Sequence, residues 1–192
     1  MRPFLILLFA VAAGSHSALS SQAPIRLTPS GRGTSALVVM PPPGQAADST
    51  APVLGIRLDY GQPHLRGRTL HTDSLVPLDK VWRTGANATS TLATDLDLVV
   101  GGVDVPKGEY AMFTLPSSSG WKLILQKNTG QTIADYASAQ DVARINLRSR
   151  AVAAPLESLT MWLIPATAPG NAKGELRIAW GTFELATDWS VR

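Results

Sequence analysis

Apolar and polar side chains alternate in short runs along most of the chain after residue 52. Between residues 53 and 60, leucine and isoleucine occupy every second position, with glycine, arginine and aspartate between them. Near residue 145 the apolar positions alternate with Arg144, Asn146 and Arg148. Because successive side chains of a β-strand point to opposite faces, this pattern predicts strands with one buried face, and it places these arginines on a solvated face.

Turn signals separate these runs. Gly101-Gly102 predicts a hairpin between strands at 96–100 and 103–105, and Pro106-Lys107-Gly108 turns the chain into the next run. Further extended runs lie at 109–115, 121–126, 156–164, 176–180 and 183–187. Only residues 132–142 favour a helical turn or two. About seven to ten short strands without alternating helices predict one all-β domain over residues 53–192, a β-sandwich or a jelly-roll-like fold.

The N-terminus has the layout of a secretory signal peptide. One early arginine precedes the apolar run Phe4–Gly14, and small and polar residues follow it. The run is shorter than the roughly 20 apolar residues that a bilayer-spanning helix needs. Cleavage after Ser17, Ser20 or Ala23 is open. Small residues at the last position and three before it fit Ser17 and Ser20, and we favour a signal peptide at 1–20.

Residues 21–52 are rich in proline, serine, glycine and alanine, and Pro41-Pro42-Pro43-Gly44 interrupts them. One apolar run at 36–40 favours a short edge strand, and the rest of 21–35 is interpreted as a mobile lead-in. We therefore expect the folded domain to begin near residue 53.

The chain contains no cysteine. This excludes a disulfide framework, a thiolate metal site, a cysteine nucleophile and the cysteine-linked anchor of bacterial lipoproteins. No second apolar stretch reaches membrane-spanning length, and no hydrophobic tail marks a glycolipid anchor. The expected product is an exported protein, periplasmic or secreted, with no membrane span or lipid anchor.

The net charge of +3 comes from 17 basic and 14 acidic side chains. Once Arg2 leaves with the signal peptide, the excess lies in the segment 57–83, which holds five basic and three acidic residues. Both remaining histidines, His64 and His71, fall in the same segment. A local positive region is not the longer basic stripe that nucleic-acid binding needs, so no nucleic-acid partner is expected.

The segment 81–87, Val-Trp-Arg-Thr-Gly-Ala-Asn, concentrates side chains suited to ligand recognition. Arg83 can hold a carboxylate or phosphate through two hydrogen bonds, Trp82 offers a flat face to a sugar or cation, and Asn87 donates and accepts. A structural alternative stays open, in which Trp82 packs in the core and Arg83 pairs with backbone carbonyls or Asp79. The predicted ligand-binding set joins this segment to the positive region: Tyr60, Arg66, Arg68, Trp82, Arg83 and Asn87.

Catalytic and metal sites are alternatives. Potential metal ligands lie within fifteen residues of one another: Asp59, His64, His71 and Asp73. Their spacing matches no standard zinc site, so a metal site at His64 and His71 is only an alternative and no cofactor is assigned. No G-x-S-x-G or S-x-x-K motif marks an activated serine, although either histidine would supply the base of a triad. No catalytic residue is therefore assigned.

Several short motifs follow one another in order: Tyr60–Pro63, Arg66–Arg68, Leu75–Pro77, Lys80–Asn87, Pro106–Tyr110, Phe113–Pro116 and Trp121. This order resembles a bacterial family catalogued as domain of unknown function 2911, whose members typically read V-W-R-T-G-A-N at the fourth motif. The resemblance covers about residues 53–187 and implies an exported protein, but it brings no known activity. One departure is Ala88-Thr89-Ser90, where members often have Glu-Ala-Thr.

These features predict a non-catalytic binding module for a small polar or anionic ligand, or for a glycan. The alternative from another class is an envelope protein-interaction or structural domain with no small-molecule site, marked by an exposed apolar patch or an unpaired edge strand. A hydrolase or metal-dependent enzyme that uses His64 or His71 is the third hypothesis.

Overall fold

The computed structural model describes residues 23, 25–40, 53–127 and 132–192. Within them the chain forms these strands: β1 Ser30–Val39, β2 Leu54–Pro63, β3 Ser90–Thr94, β4 Leu98–Val100, β5 Val103–Val105, β6 Gly108–Leu115, β7 Trp121–Gln126, β8 Asp141–Pro165 and β9 Lys173–Val191. Two short 3₁₀ helices, Ile133–Asp135 and Ser138–Gln140, precede β8 and are the only helical elements in these ranges. The prediction of an all-β domain with little helix is confirmed, and both helical turns fall within the expected stretch 132–142.

All neighbouring strands are antiparallel and form one open sheet in the order β1-β2-β3-β6-β7-β8-β9-β4-β5. Gly101-Gly102 joins β4 to β5 at the predicted hairpin. The sandwich-like arrangement arises because this single sheet bends, so that two parts of it enclose one core.

The bend lies in the two long strands. The first part of β8 pairs with β7, and residues 148–165 pair with β9. The β8–β9 register shifts twice, between Ala151 and Leu156 and between Leu156 and Thr160, because β8 carries more residues than β9 on this stretch. Extra residues on one strand of an antiparallel pair bend it and increase its twist.

Gly181 sits in β9 opposite these irregularities. Its φ of +56° is a left-handed conformation that side-chain-bearing residues rarely adopt, and a Cβ there would press on Leu70. Strand β9 folds back around this point, so that the Val191 amide donates to the Ala172 carbonyl at 2.8 Å. The two ends of β9 therefore lie side by side.

One apolar core fills the space between the bent parts of the sheet, with buried side chains from β2 through β9. Trp180, beside the bend, is fully buried, and its Nε1 donates to the Glu157 carbonyl at 3.1 Å. The Leu65 amide donates to the same carbonyl at 2.7 Å. The irregular part of β8 thus anchors the loop that follows β2.

The N-terminal part of the sheet differs from the expectation of a mobile lead-in with a short strand at 36–40. Strand β1 begins at Ser30 and pairs with β2 along its whole length. Polar residues at 30–35 join the strand because an edge strand of an antiparallel sheet can keep one face in water. The expected signal peptide and the segment 41–52 lie outside the described residues. No helix in the described ranges is long and apolar enough to cross a bilayer.

Candidate functional site

The segment 81–87 runs beside the end of β6. Trp82 exchanges two backbone hydrogen bonds with Thr114, at 2.8 and 2.9 Å. Its side chain is 8% exposed and stacks on Trp180, with ring centroids 6.0 Å apart and planes 16° from parallel. Trp82 therefore packs in the core, which is the structural alternative given above. In this arrangement the indole face is not open to a ligand.

Val81, next to Trp82 in the segment, lies on the opposite, outer face of the sheet. Three fully buried side chains on that face, Ala111, Phe113 and Ile124, pack with Val81, Leu115 and Tyr136 to form the outer-face cluster. Because strand residues alternate between faces, Arg83 lies on the same face as Val81. Trp82 pairs with Thr114 in the antiparallel direction. The residue after Trp82, Arg83, therefore lies beside the residue before Thr114, which is Phe113.

Arg83 has no counter-ion within the described residues. The residue is half-buried, and its Nε atom is fully buried without a hydrogen-bond partner. No ion pair joins it to a described carboxylate, although most other described arginines have one. The structural alternative for Arg83 was a pairing with Asp79 or with backbone carbonyls. Among the described residues, Arg83 makes neither contact.

Polar side chains beside the outer-face cluster bind one another around the Asp141 carboxylate. Arg144 Nε donates to Asp141 Oδ2 at 2.6 Å, the Tyr136 hydroxyl donates to the same oxygen at 3.1 Å, and Gln126 Nε2 donates to Oδ1 at 2.7 Å. Burial, reinforced by Asp141, raises the pKa of Tyr136. Asp141 is therefore ion-paired and hydrogen-bonded, as expected for a structural carboxylate rather than a proton acceptor.

Gln126 leaves one buried acceptor unused. The side chain is fully buried, Nε2 also donates to the Ala137 carbonyl at 2.8 Å, and Oε1 has no partner among the described residues. Alternation along β7 assigns Gln126 to the outer face, where the sequence suggests solvent. Its hydrogen bonds to Ala137 and Asp141 come from residues later in the chain, which local periodicity does not show. The outer face thus holds an unpaired donor at Arg83 and an unpaired acceptor at Gln126.

The other members of the predicted ligand set are spread over different environments. Tyr60 is 4% exposed and packs in the core, with its ring against Gly33. Asn87 is exposed, and its Nδ2 donates to the Ser30 carbonyl at 3.3 Å, which fastens the start of β1. Like Trp82, Tyr60 presents no free aromatic face in this structure.

Arg66 and Arg68 lie in the exposed loop after β2. The Arg68 guanidinium donates to the His64 and Leu65 carbonyls, at 2.6 and 3.0 Å, so it supports the loop backbone. The Arg66 amide donates to Glu157 Oε1 at 2.7 Å, and its guanidinium forms no hydrogen bond or ion pair with a described residue. The six residues are therefore divided among the core, this loop, the outer face and the start of β1. A ligand role for the six stays a prediction.

The two histidines have separate surroundings. His64 Nδ1 lies 2.7 Å from Ser158 Oγ across an isolated β-bridge, and no described carboxylate contacts the ring. His71 packs against Trp121 and Phe183, with centroids 5.7 and 6.1 Å away. In the described part of the chain, no group of three or more histidine or acidic side chains is placed to hold a metal ion.

Comparison with known proteins adds one finding. The sequence model of the family described as "Protein of unknown function (DUF2911)" matches residues 42–188. No curated protein and no solved structure matches the chain. The matched span includes the segment 81–87 and the whole outer-face cluster. Because the match extends over most of the chain, the protein belongs to this family of unknown function, as its ordered motifs predict.

Proposed function

We propose that this protein is an exported, non-catalytic binding module that holds a small anionic ligand at Arg83. The observation that carries the proposal is the state of the Arg83 guanidinium. The residue is half-buried, and its register position is beside Phe113 of the outer-face cluster. Among the described residues it has no counter-ion, and its buried Nε has no acceptor.

Such a guanidinium is costly in the free protein. An unsatisfied buried donor costs about 1–3 kcal/mol, and a charge withdrawn from water without a partner adds to that cost. A carboxylate or phosphate that accepts from Nε and a terminal amino group together would remove both penalties, because guanidinium presents parallel donors. The apolar surroundings would strengthen that ion pair by lowering the local dielectric.

Calorimetric titration with inorganic phosphate, citrate and glucose 6-phosphate tests the proposal. We expect the wild-type protein to bind at least one of them, and Arg83→Ala to lose about tenfold or more in affinity, the loss of a charge-assisted pair. Arg83→Lys retains the charge without the parallel donors, so it should lie between the two. Circular dichroism should report all three proteins as folded.

Arg66→Ala is the matched control, because it removes an exposed guanidinium that forms no hydrogen bond or ion pair with a described residue. It should bind the anion like the wild type. Loss of binding in Arg66→Ala but not in Arg83→Ala would move the site to the loop and contradict the proposal. An absence of binding to all three anions at millimolar concentration, or an Arg83→Ala variant that fails to fold, would also contradict it.

Export is part of the proposal and is supported by the apolar run Phe4–Gly14 after an early arginine. The full chain with a C-terminal tag should appear in the periplasm or the medium of a bacterial host. Sequencing of its N-terminus should begin at Ser21. A cytoplasmic product that retains residues 1–20 would contradict export.

A protein-interaction role is the second candidate, favoured by exposed apolar residues where β1 ends and β2 begins. Val38, Met40 and Val53 are 65%, 73% and 73% exposed around these strand ends. Single exposed apolar residues are ordinary, but three close together form a patch. Sedimentation of the wild type and a Val38→Thr, Met40→Gln, Val53→Thr variant tests self-association there. Monomeric behaviour of both would count against it.

A further inference from the structure

A cleft of about 390 Å³ opens where the two ends of β9 meet the β4–β5 turn. Lys173 and Glu175 line it from the start of β9, Asp188 and Trp189 from the end, and Ala166 from beyond β8. We name it the Trp189 cleft. It shares no residue with the outer-face cluster, so it is independent of the function proposed for Arg83.

Trp189 gives the cleft an unsatisfied donor. The side chain is 4% exposed, and its buried Nε1 has no hydrogen-bond partner among the described residues. The ring lies close against Gly174, where a Cβ would stand 2.9 Å from Cζ2. Buried indole N–H groups usually find an acceptor, and an unsatisfied one costs about 1–3 kcal/mol. An acceptor brought to the indole from the cleft would remove that cost.

Charged groups of both signs line the cleft. Arg148 donates to both Asp188 oxygens at 2.8 Å and to Glu175 Oε1 at 3.0 Å, which holds the two ends of β9 together. Hydrogen bonds from Arg148 lower the pKa of Asp188, so its carboxylate is ionised at neutral pH. Lys173 is exposed and forms no ion pair with a described residue. The cleft therefore offers donors and acceptors without a strong net charge.

We propose that the Trp189 cleft binds a neutral saccharide of one or two rings. Its volume lies at the small end of the range of about 300–1,000 Å³ for ligand pockets. Ala166 and the glycine backbone supply an apolar wall for the C–H face of a sugar ring, while the face of the Trp189 ring stays in the core. The carboxylates accept from its hydroxyl groups, and Lys173 and the indole N–H donate to its oxygens.

The test compares a substitution that fills the cleft with the same substitution at a nearby residue outside it. Ala166 is exposed and lines the cleft, whereas Ala168 is exposed and does not. Calorimetric titration with maltose, cellobiose and the disaccharide of N-acetylglucosamine should show binding of at least one to the wild type. Ala166→Trp should lose about tenfold or more in affinity, and Ala168→Trp should bind unchanged.

Trp189→Phe adds a second readout, because it keeps an aromatic ring and removes the N–H. We expect it to fold and to bind the same saccharide several-fold more weakly. Phosphate binding at Arg83 should be unchanged in Ala166→Trp, which separates the two sites. Wild-type protein that binds none of the disaccharides at millimolar concentration would overturn the inference, as would equal loss in Ala166→Trp and Ala168→Trp.

Discussion

Arginines on two outer surfaces of the sheet have opposite electrostatic surroundings. On the surface of β8 and β9, three arginines and three carboxylates form what we call the β8–β9 network: Arg148, Arg150, Arg177, Glu175, Glu184 and Asp188. Arg148 is 56% exposed, yet it binds two carboxylates. Arg83, beside the outer-face cluster, is more buried and binds none of the described carboxylates.

If stability alone decided, the more buried arginine would have the carboxylate partners and the exposed arginine would not. An exposed guanidinium is solvated by water and gains little from a carboxylate, whereas a buried one needs a partner. The β8–β9 network is explained by its cross-strand position, since it ties the folded-back ends of β9 together. No contact in the described structure explains the burial of Arg83, and a ligand would.

The largest expected effect is a difference in the free energy of unfolding between variants of Trp82 and variants of its neighbour Arg83. Trp82→Ala should lower the free energy of unfolding by about 3–5 kcal/mol, because it leaves a cavity beside Trp180. Arg83→Ala should change it far less, because removing the unsatisfied guanidinium offsets the packing that the shorter side chain loses. Urea denaturation measures both. A similar loss in the two variants would mean that Arg83 is structural, like Trp82, and the comparison would fail.

Glu184→Gln tests the paired surface. The Glu184 side chain is 9% exposed and binds Arg150 at 2.8 Å and Arg177 at 3.3 Å. Removing its charge leaves two guanidinium groups facing a neutral amide, so we expect a loss of about 1–2 kcal/mol in urea denaturation.

Asp104→Asn is the control for Glu184→Gln, because Asp104 is largely exposed and its pair with Arg192 is 3.3 Å long. It should stay within about 0.5 kcal/mol of the wild type. Equal losses in the two variants would show that burial of the carboxylate has no bearing on the strength of the network.

Acid should weaken the network through Glu175 and Asp188. Hydrogen bonds from Arg177 lower the pKa of Glu175, and those from Arg148 lower the pKa of Asp188. Because both folded-state values lie below the unfolded ones, this stabilisation is complete above about pH 4–5 and is lost as pH falls through the folded values. Both carboxylates are near the surface, so the total is less than about 1 kcal/mol.

Urea denaturation of Arg148→Ala and wild type at several pH values measures this effect. The variant should be less stable near neutral pH and should converge toward the wild type as the pH falls to about 3. Parallel curves for the two proteins would show that Arg148 does not set the acid dependence.

The smallest expected effect is a gain in stability rather than a loss. Arg83→Met replaces an unpaired half-buried cation by an apolar chain of similar length, so it should raise the free energy of unfolding by about 0.5 kcal/mol and abolish anion binding. Arg148→Met should lower it. Measured by urea denaturation without added anions, a loss of stability in both variants would contradict the distinction between the two surfaces.

Local patterns in the sequence predict much of the sheet. Alternation around β2, β7 and β8 identifies strands and their buried faces, and Gly101-Gly102 identifies the β4–β5 hairpin. These predictions succeed because side-chain direction in a strand and the shape of a two-residue turn depend on adjacent residues. The runs predicted separately at 156–164 and 176–180 are instead parts of two long bent strands, since a bend at Gly181 depends on which strand lies opposite it.

The candidate site is less accessible to the same reasoning. Arg83 stands out in the sequence as a side chain suited to anions, but its neighbours in space are set by the pairing of Trp82 with Thr114. Gln126 appears as an ordinary outward polar residue, and only its burial and its contacts with Ala137 and Asp141 set its acceptor apart. In the sequence Tyr60 and Trp82 look like aromatic surfaces for a ligand, but both side chains are buried in the core.

The sequence by itself determined the all-β class, the family and the expectation of export, because these depend on composition, local period and ordered motifs. The tertiary structure alone decided which aromatic residues are buried, which arginines have carboxylate partners, and where the ends of β9 form a cleft. Those properties arise from contacts between residues far apart in the chain, such as Trp82 with Trp180 and Arg148 with Asp188. Strand pairing and the bend of the sheet bring such residues together, and neither is encoded in any single segment.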